Sequence, residues 1–376
     1  MTAQKIRVLY AIENERYGGG ERAFAQLING LDKSRFEVYA ACLTGGTASA
    51  QFLEEIAGAA KVLNLDLRRL FSPGAVAALR GIIGANGIGV VHSQGARADF
   101  YCRLAARAAG VAAVSTIASP VEEYDVGFLR RAAYTALDRF SSRYTSRFVA
   151  VADHIRAKLL ARRGLRPERV VRIYNGVDPA RCACAPGEAE RARAAYGVPP
   201  GTFLAAAFCR LSREKGLFTL LDAAAASGPG VTYLLAGTGP LEAELKARAR
   251  ELGLGPRFIF AGFVADIVPL LNAAGVVALP SLREGFPMAA LEAMAAGKPV
   301  VASAIEGIKE SVADGVTGLL VPPGDGAALG AAIKRLARDR ALAASLGAAG
   351  REAAGSNFSL RSMIGQHEAL YGELLG

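Results

Sequence analysis

A chain of 376 residues, 52% of them apolar, has ample material for two cored domains, yet no uninterrupted apolar run of about 18 residues that would cross a bilayer. Five scattered cysteines (Cys42, Cys102, Cys182, Cys184 and Cys209) and only three histidines argue against a zinc site. Together with the lack of signal-peptide architecture before Ile6, they point to a reducing, cytoplasmic setting. The formal charge of +10 is lopsided: residues 1–180 hold 25 Lys/Arg against 16 Asp/Glu, and residues 181–376 hold 19 against 18.

Apolar runs that read as buried strands alternate with helical patterns along the whole chain, which predicts a parallel α/β architecture. The first half places strands at 6–12, 36–43, 61–65, 89–93, 112–117, 147–151 and 170–174. After the first of them, Gly18-Gly19-Gly20-Glu21 opens a helical pattern; glycines there let backbone approach a phosphate or sugar while the helix start supplies N–H donors. A glycine turn alone is weak evidence, since most such turns are merely turns. Between 130 and 172, twelve Lys/Arg, among them Arg130, Arg131, Arg139, Arg143, Arg147, Arg162 and Arg163, face three acids. The plain reading of that run is a solvated helical face. The sharper ones are attraction to anionic lipid headgroups or to an acidic acceptor. No recognition motif for nucleic acid accompanies the charge.

The pattern breaks at Asn175-Gly176-Val177-Asp178-Pro179 and the Pro/Gly/Cys-bearing stretch to Gly201, so two domains joined near residue 180 are expected. They are residues 1–178, residues 179–355, and a terminal helix within 356–376 that packs back on the first domain. The second half places strands at 203–209, 231–236, 257–261, 275–279, 300–303 and 318–321. In open parallel sheets ligands bind at the carboxyl ends of strands, and two facing domains would enclose them in a cleft. Arg210 and Lys215 emerge at such an end, where fixed cations could hold a diphosphate and stabilise the charge of a departing one. By themselves they read as a surface pair. Gly237-Thr238-Gly239-Pro240 is half a dinucleotide fingerprint with Glu242 in place of the third glycine, and reads as a strand-to-helix turn beside the ligand.

The most informative stretch is residues 284–299. Glu284 sits on a Gly/Pro loop after an apolar strand, and Glu292 lies eight residues on, inside an Ala/Leu/Met-rich helix. A loop entering a helix N-terminus is an anion seat, and two carboxylates beside it can accept hydrogen bonds from hydroxyls. A phosphate flanked by polyols is a sugar nucleotide. No Asp-x-Asp motif that would clamp it through a metal appears.

Taken in order, Gly18-Gly19-Gly20-Glu21, Val90–Gly95, Ile173–Asp178, Arg210–Gly216, Leu235–Pro240 and Pro280 through Glu292 resemble the retaining family-4 glycosyltransferases of the GT-B fold (glycosyl transferases group 1), along almost the whole chain. The resemblance implies an α/β chain of two Rossmann-like, doubly wound parallel-sheet domains facing a central cleft. It implies transfer of a sugar from a nucleotide sugar, a UDP-sugar being favoured, with retention at the anomeric carbon and no metal or other cofactor. Arg210 and Lys215 would hold the donor diphosphate and Glu284 the donor sugar. The backbone of Gly285, Phe286 and Pro287 would line sugar and phosphate, Glu292 would bind the ribose, and Gly19 and Gly20 would close over the diphosphate. The base would sit near Phe263 and Val264. A lipid-linked or cell-envelope glycan, as in lipopolysaccharide or other polysaccharide synthesis, is the implied acceptor, with the basic first domain resting on the inner membrane face.

Two positions depart from the family pattern. Cys209 replaces the glycine usual before the phosphate arginine, a small change. Ala118 stands where relatives often carry a catalytic histidine beside the donor sugar, and an alanine neither donates a hydrogen bond nor shuttles a proton. Either the enzyme works without that group or the chain is an engineered, weakened variant. His92 either lines the acceptor side or is a satisfied packing residue. The alternatives to a transferase are a GT-B-fold sugar-nucleotide epimerase, a non-catalytic sugar-nucleotide-binding protein and, with least support, a nucleic-acid binder.

Overall fold

The computed structural model describes residues 4–13, 18–42, 47–64, 73–162 and 164–376. The predicted strand residues Leu43 and Leu65, and Arg163 of the basic run, lie outside them. Two compact units divide the chain: Met1–Asn175 with Leu360–Gly376, and Gly176–Ser359.

In the first unit the strands are β1 (Ile6–Ile12), β2 (Phe36–Cys42), β3 (Lys61–Asn64), β4 (Val90–Gln94), β5 (Ala112–Ile117), β6 (Arg147–Ala150) and β7 (Val170–Arg172). They form a seven-stranded sheet in the order β3-β2-β1-β4-β5-β6-β7, and every pairing is parallel. Helices cover both faces, so the strands read as continuous apolar runs. In β1, Val8, Tyr10 and Ile12 pack with Phe24, Ile28 and Met363 on one face, while Leu9 and Ala11 pack with Leu79, Ile83 and Tyr101 on the other.

In the second unit the strands are β8 (Phe203–Phe208), β9 (Val231–Ala236), β10 (Phe258–Gly262), β11 (Val276–Leu279), β12 (Val300–Ser303) and β13 (Gly318–Val321). Their order is β10-β9-β8-β11-β12-β13, again with parallel pairing throughout. Strand order reverses between β1 and β4 in the first sheet and between β8 and β11 in the second. Such switch points open a crevice at the carboxyl ends of the two strands that flank them.

The unit boundaries have a local cause. Val177 bridges to Ser359 in parallel, its N–H donating to Phe358 O at 2.8 Å, so the two chain crossings pair with each other inside the second unit. The terminal helix Leu360–Leu375 lies on the first unit, burying Met363, His367, Leu370 and Tyr371. Among the described residues no helix is long and apolar enough to cross a membrane.

Candidate functional site

The residues singled out in the second half converge on the carboxyl ends of β8 and β11, the two strands at the switch point of the second sheet. β8 ends at Phe208, and the chain continues through half-buried Cys209, whose thiol burial pushes up to about 12, into exposed Arg210. Arg210 Nη2 donates to Glu214 Oε1 at 2.6 Å, and Ser212 Oγ donates to the same oxygen at 2.6 Å. Burial works against ionising Glu214, but the bonds from Ser212 and Arg210 prevail and hold its pKa at about 2. The Arg210 guanidinium is thereby oriented at the strand end.

Lys215 closes the same loop. Its Nζ donates to Glu284 Oε1 at 2.7 Å, and Ser281 Oγ donates to that oxygen at 2.7 Å. Oε2 of Glu284 takes no hydrogen bond from a described residue. The Lys215 and Glu284 side chains are 21% and 10% exposed. Burial pulls the Lys215 ammonium down, yet the Glu284 carboxylate more than offsets this and its pKa is raised, so it stays charged at neutral pH. The loops after β8 and β11 are tied by backbone as well: Leu282 N–H donates to Glu214 O at 2.8 Å.

Glycine is required where these loops touch. Gly216 has φ +61°, and a Cβ there would lie 2.0 Å from the Pro280 carbonyl oxygen. At Gly237 (φ +143°) a Cβ would lie 1.9 Å from Cys209 O, and Leu211 N–H donates to Thr238 O at 2.9 Å. The Gly-Thr-Gly segment therefore packs backbone against backbone on the loop after β8, a role its fingerprint-like spacing does not reveal.

After Glu284 the chain runs through Gly285 and Phe286 to Pro287, which precedes the helix Met288–Ala295; no side chain caps that helix start. Phe286 is 5% exposed, its ring 5.4 Å from Phe358, so its side chain is structural. The first N–H groups of the helix have no intrahelical acceptor and carry the positive dipole end. Glu292, 8% exposed, lies one turn further in. Phe263, directly after β10, is 60% exposed with half-buried Arg257 and Phe260 near it in sequence.

In the first unit, Gly19 and Gly20 begin the helix Gly19–Gly30 after β1, with extended Gly18 before it. Ala118 is half-buried in a bend directly after β5. The expectation that His92 lines an acceptor surface is corrected. His92 is 0% exposed in the middle of β4; Nδ1 pairs with Tyr371 Oη at 2.6 Å and Nε2 with Thr116 Oγ1 at 2.7 Å. Tyr371 Oη also meets Tyr10 Oη at 2.7 Å, and the His92 ring stacks on His367. Burial, reinforced by His367, lowers the His92 pKa well below the usual range, so it is a neutral packing group that fastens the terminal helix.

Part of the basic run is also structural. Arg162 bonds Asp138 at 2.7 Å and Glu122 at 2.9 Å, Arg147 pairs with Glu373, and Arg169 donates to Ser142 O at 2.8 Å. Sequence reading missed Ser281 and Glu214 as the groups that set Glu284 and Arg210, and it missed fully buried Arg103, which pairs with Asp138 at 2.7 Å. The first two stand inside the segments already singled out, three and four residues from the groups they orient; Arg103 carries no local signal.

Two family models match consecutive parts of the chain: Glycosyltransferase Family 4 at residues 17–181 and Glycosyl transferases group 1 at residues 188–353. The 2-deoxystreptamine glucosyltransferase of Streptomyces kanamyceticus is 32% identical over 248 residues, 64% of each chain. The D-inositol 3-phosphate glycosyltransferase of Mycobacterium tuberculosis (strain F11) is 36% identical over 183 residues, 46% of this chain and 37% of that one. The match thus spans less than two thirds of either relative's length. The crystal structure of Anabaena Alr3699/HepE in complex with UDP-glucose superposes with a TM-score of 0.86 at 24% identity, covering 98% of this chain and 100% of that one. At that identity the likeness establishes the fold.

Proposed function

Because this chain belongs to the family-4 glycosyltransferases of the GT-B fold, we propose that it moves a sugar from a UDP-sugar to a lipid-linked or cell-envelope glycan, retaining the anomeric configuration and needing no metal. The observation that carries this reading is the meeting of Arg210, Lys215 and Glu284 at the two strand ends beside an uncapped helix N-terminus. Two fixed cations and free N–H groups suit a diphosphate, and they supply the charge stabilisation a metal would otherwise provide. Glu284, paired with Lys215 through Oε1, offers Oε2 to donor sugar hydroxyls, and Glu292 serves the ribose. Uridine is favoured because the Anabaena structure was solved with UDP-glucose.

In the reaction the bond from the anomeric carbon to the diphosphate oxygen breaks, and the nucleoside diphosphate leaves with the electron pair. The acceptor oxygen bonds to the same face of the sugar and passes its proton to the departing phosphate. Arg210 and Lys215 are held by Glu214 and Glu284 before substrate arrives, so they are oriented where this charge develops. The excess positive charge of the first unit would rest on an anionic membrane face, in a cytoplasmic setting.

A second reading of the acceptor has its own support. The names of both curated relatives specify a cyclitol acceptor, 2-deoxystreptamine in one and inositol 3-phosphate in the other. A panel of UDP-sugars assayed for nucleotide release, with glycolipid or cyclitol added, separates the two. Release that depends on acceptor, with an anomeric coupling constant unchanged from donor to product, is the expected result. Donor turnover without any acceptor would favour the epimerase reading instead, and donor binding without turnover, even in Ala118→His, the non-catalytic one.

A further inference from the structure

The helix Phe128–Ser141 buries Tyr134, Asp138 and Ser141 against the first unit. Its opposite face is unusual for a surface helix. Phe128 is 74% exposed, Leu129 82% and Phe140 46%, and Ala132 and Ala136 are exposed between them. At 100° per residue these five positions fall within one stripe about a third of the circumference wide. An apolar stripe on a surface helix normally faces the core; here it faces outward.

Charge says what covers it. Exposed Arg139 falls within the stripe itself, exposed Arg143 follows the helix end next to Phe140, and exposed Arg130 and half-buried Arg131 lie outside the stripe near the helix start. Arg143 stacks on the Phe140 ring at 4.4 Å. From Phe128 to Arg147 the one carboxylate is Asp138, and it is buried in ion pairs with Arg103 and Arg162. The Arg139 side chain, 68% exposed, pairs only loosely with Glu122 at 3.8 Å. A face of rings, leucine and alanines that carries Arg139 and no carboxylate, with Arg143 at its end and Asp125 the exposed acid before the helix, matches the headgroup region of an anionic bilayer, where rings and leucine enter the acyl boundary and guanidinium groups meet phosphates.

We propose that this face of Phe128–Ser141 docks the protein on an anionic membrane surface, with Phe128 and Leu129 as the inserting residues. The inference rests on the membrane-resting reading of the first unit and names the surface that performs it. It makes no use of the Arg210–Glu284 site, so the two fail separately.

Flotation of the full chain with phosphatidylcholine vesicles, with and without phosphatidylglycerol, tests it. The wild type is expected to float with the anionic vesicles, to stay down with the neutral ones, and to be released by high salt. Phe128→Ser with Leu129→Ser is expected to weaken partition roughly tenfold or more. Arg139→Gln with Arg143→Gln is expected to weaken it by about fivefold for each arginine. Both variants should unfold cooperatively in urea with the wild-type midpoint, which shows that they are folded whether or not the donor site is as proposed. If the wild type floats and the Phe128/Leu129 variant floats equally, the membrane reading stands and this surface is refuted. A wild type that does not float refutes both, and one that is dimeric in solution, does not float and becomes monomeric in the Phe128/Leu129 variant assigns the stripe to a second copy of the chain.

Discussion

Gly216→Ala is the substitution that most sharply probes how the donor site is held, because Gly216 itself touches no substrate in this account. Two costs follow from the structure. At φ +61° an alanine is strained by about 1–2 kcal/mol. Its Cβ would also sit 2.0 Å from Pro280 O, so the loop after β11 must retreat by about 1 Å to restore contact. That loop carries Ser281 and Glu284, so the retreat separates Glu284 from Lys215. A displacement of about 1 Å at a reacting centre costs on the order of 100-fold in rate. Gly201→Ala is the matched control: φ is +75° there and nothing lies within 4 Å of the added Cβ, so only the backbone strain applies. Urea unfolding and nucleotide release from the donor should be measured on both. Gly216→Ala is expected to lose more stability than Gly201→Ala and to fall about 100-fold in kcat/KM, while Gly201→Ala keeps its rate. Equal stability losses with undiminished turnover in Gly216→Ala would refute the claim that this backbone contact sets the site.

Glu284→Gln keeps the shape of the side chain and removes its charge; kcat is expected to fall roughly 100- to 1,000-fold with a cooperative unfolding transition retained, as checked by steady-state kinetics and circular dichroism. Ala118→His restores a donor and proton carrier directly after β5, and kcat is expected to rise about tenfold or more; an unchanged rate would show that the position lies away from the donor sugar. Buried His367, held down to about 4 by desolvation, is neutral in the fold, so the stability it contributes is fully present above pH 6.5 and is lost as pH falls from 6.5 towards 4. Asp99, raised by burial to about 6, acts with the opposite sign as pH rises from 3.8 through 6, while buried His92, lowered well below the usual range, acts with the same sign as His367, and the wild-type profile combines all three. The comparison with His367→Leu isolates the histidine: its urea midpoint should vary less between pH 6.5 and 4 than the wild type's, and an identical pH dependence would contradict the assignment.

The sheets were legible in the sequence because a strand buried on both faces must be apolar throughout; 6–12, 112–117, 231–236, 300–303 and 318–321 are strands with those bounds. The grouping of Arg210, Lys215 and Glu284 was legible because each lies a few positions beyond such a strand, at the end where a parallel sheet gathers its ligands. His92 was not, since the groups that bury it lie 24 and 279 residues away, on β5 and on the terminal helix. Nor was the outward stripe of Phe128–Ser141. Its sequence is amphipathic in the ordinary way, and only the packing of Tyr134 and Asp138 shows which face is inside. Nor was the engagement of Arg147, Arg162 and Arg169 within the basic run, because their partners are groups that sequence order does not place beside them.

The most direct test of the central claim is a calorimetric titration of UDP, GDP and ADP into the wild type and into Lys215→Met, each with and without EDTA. The account expects UDP to bind the wild type tightly and equally in EDTA, and to lose at least tenfold in affinity in Lys215→Met. Absence of binding by all three nucleotides, or binding that EDTA abolishes, would contradict it.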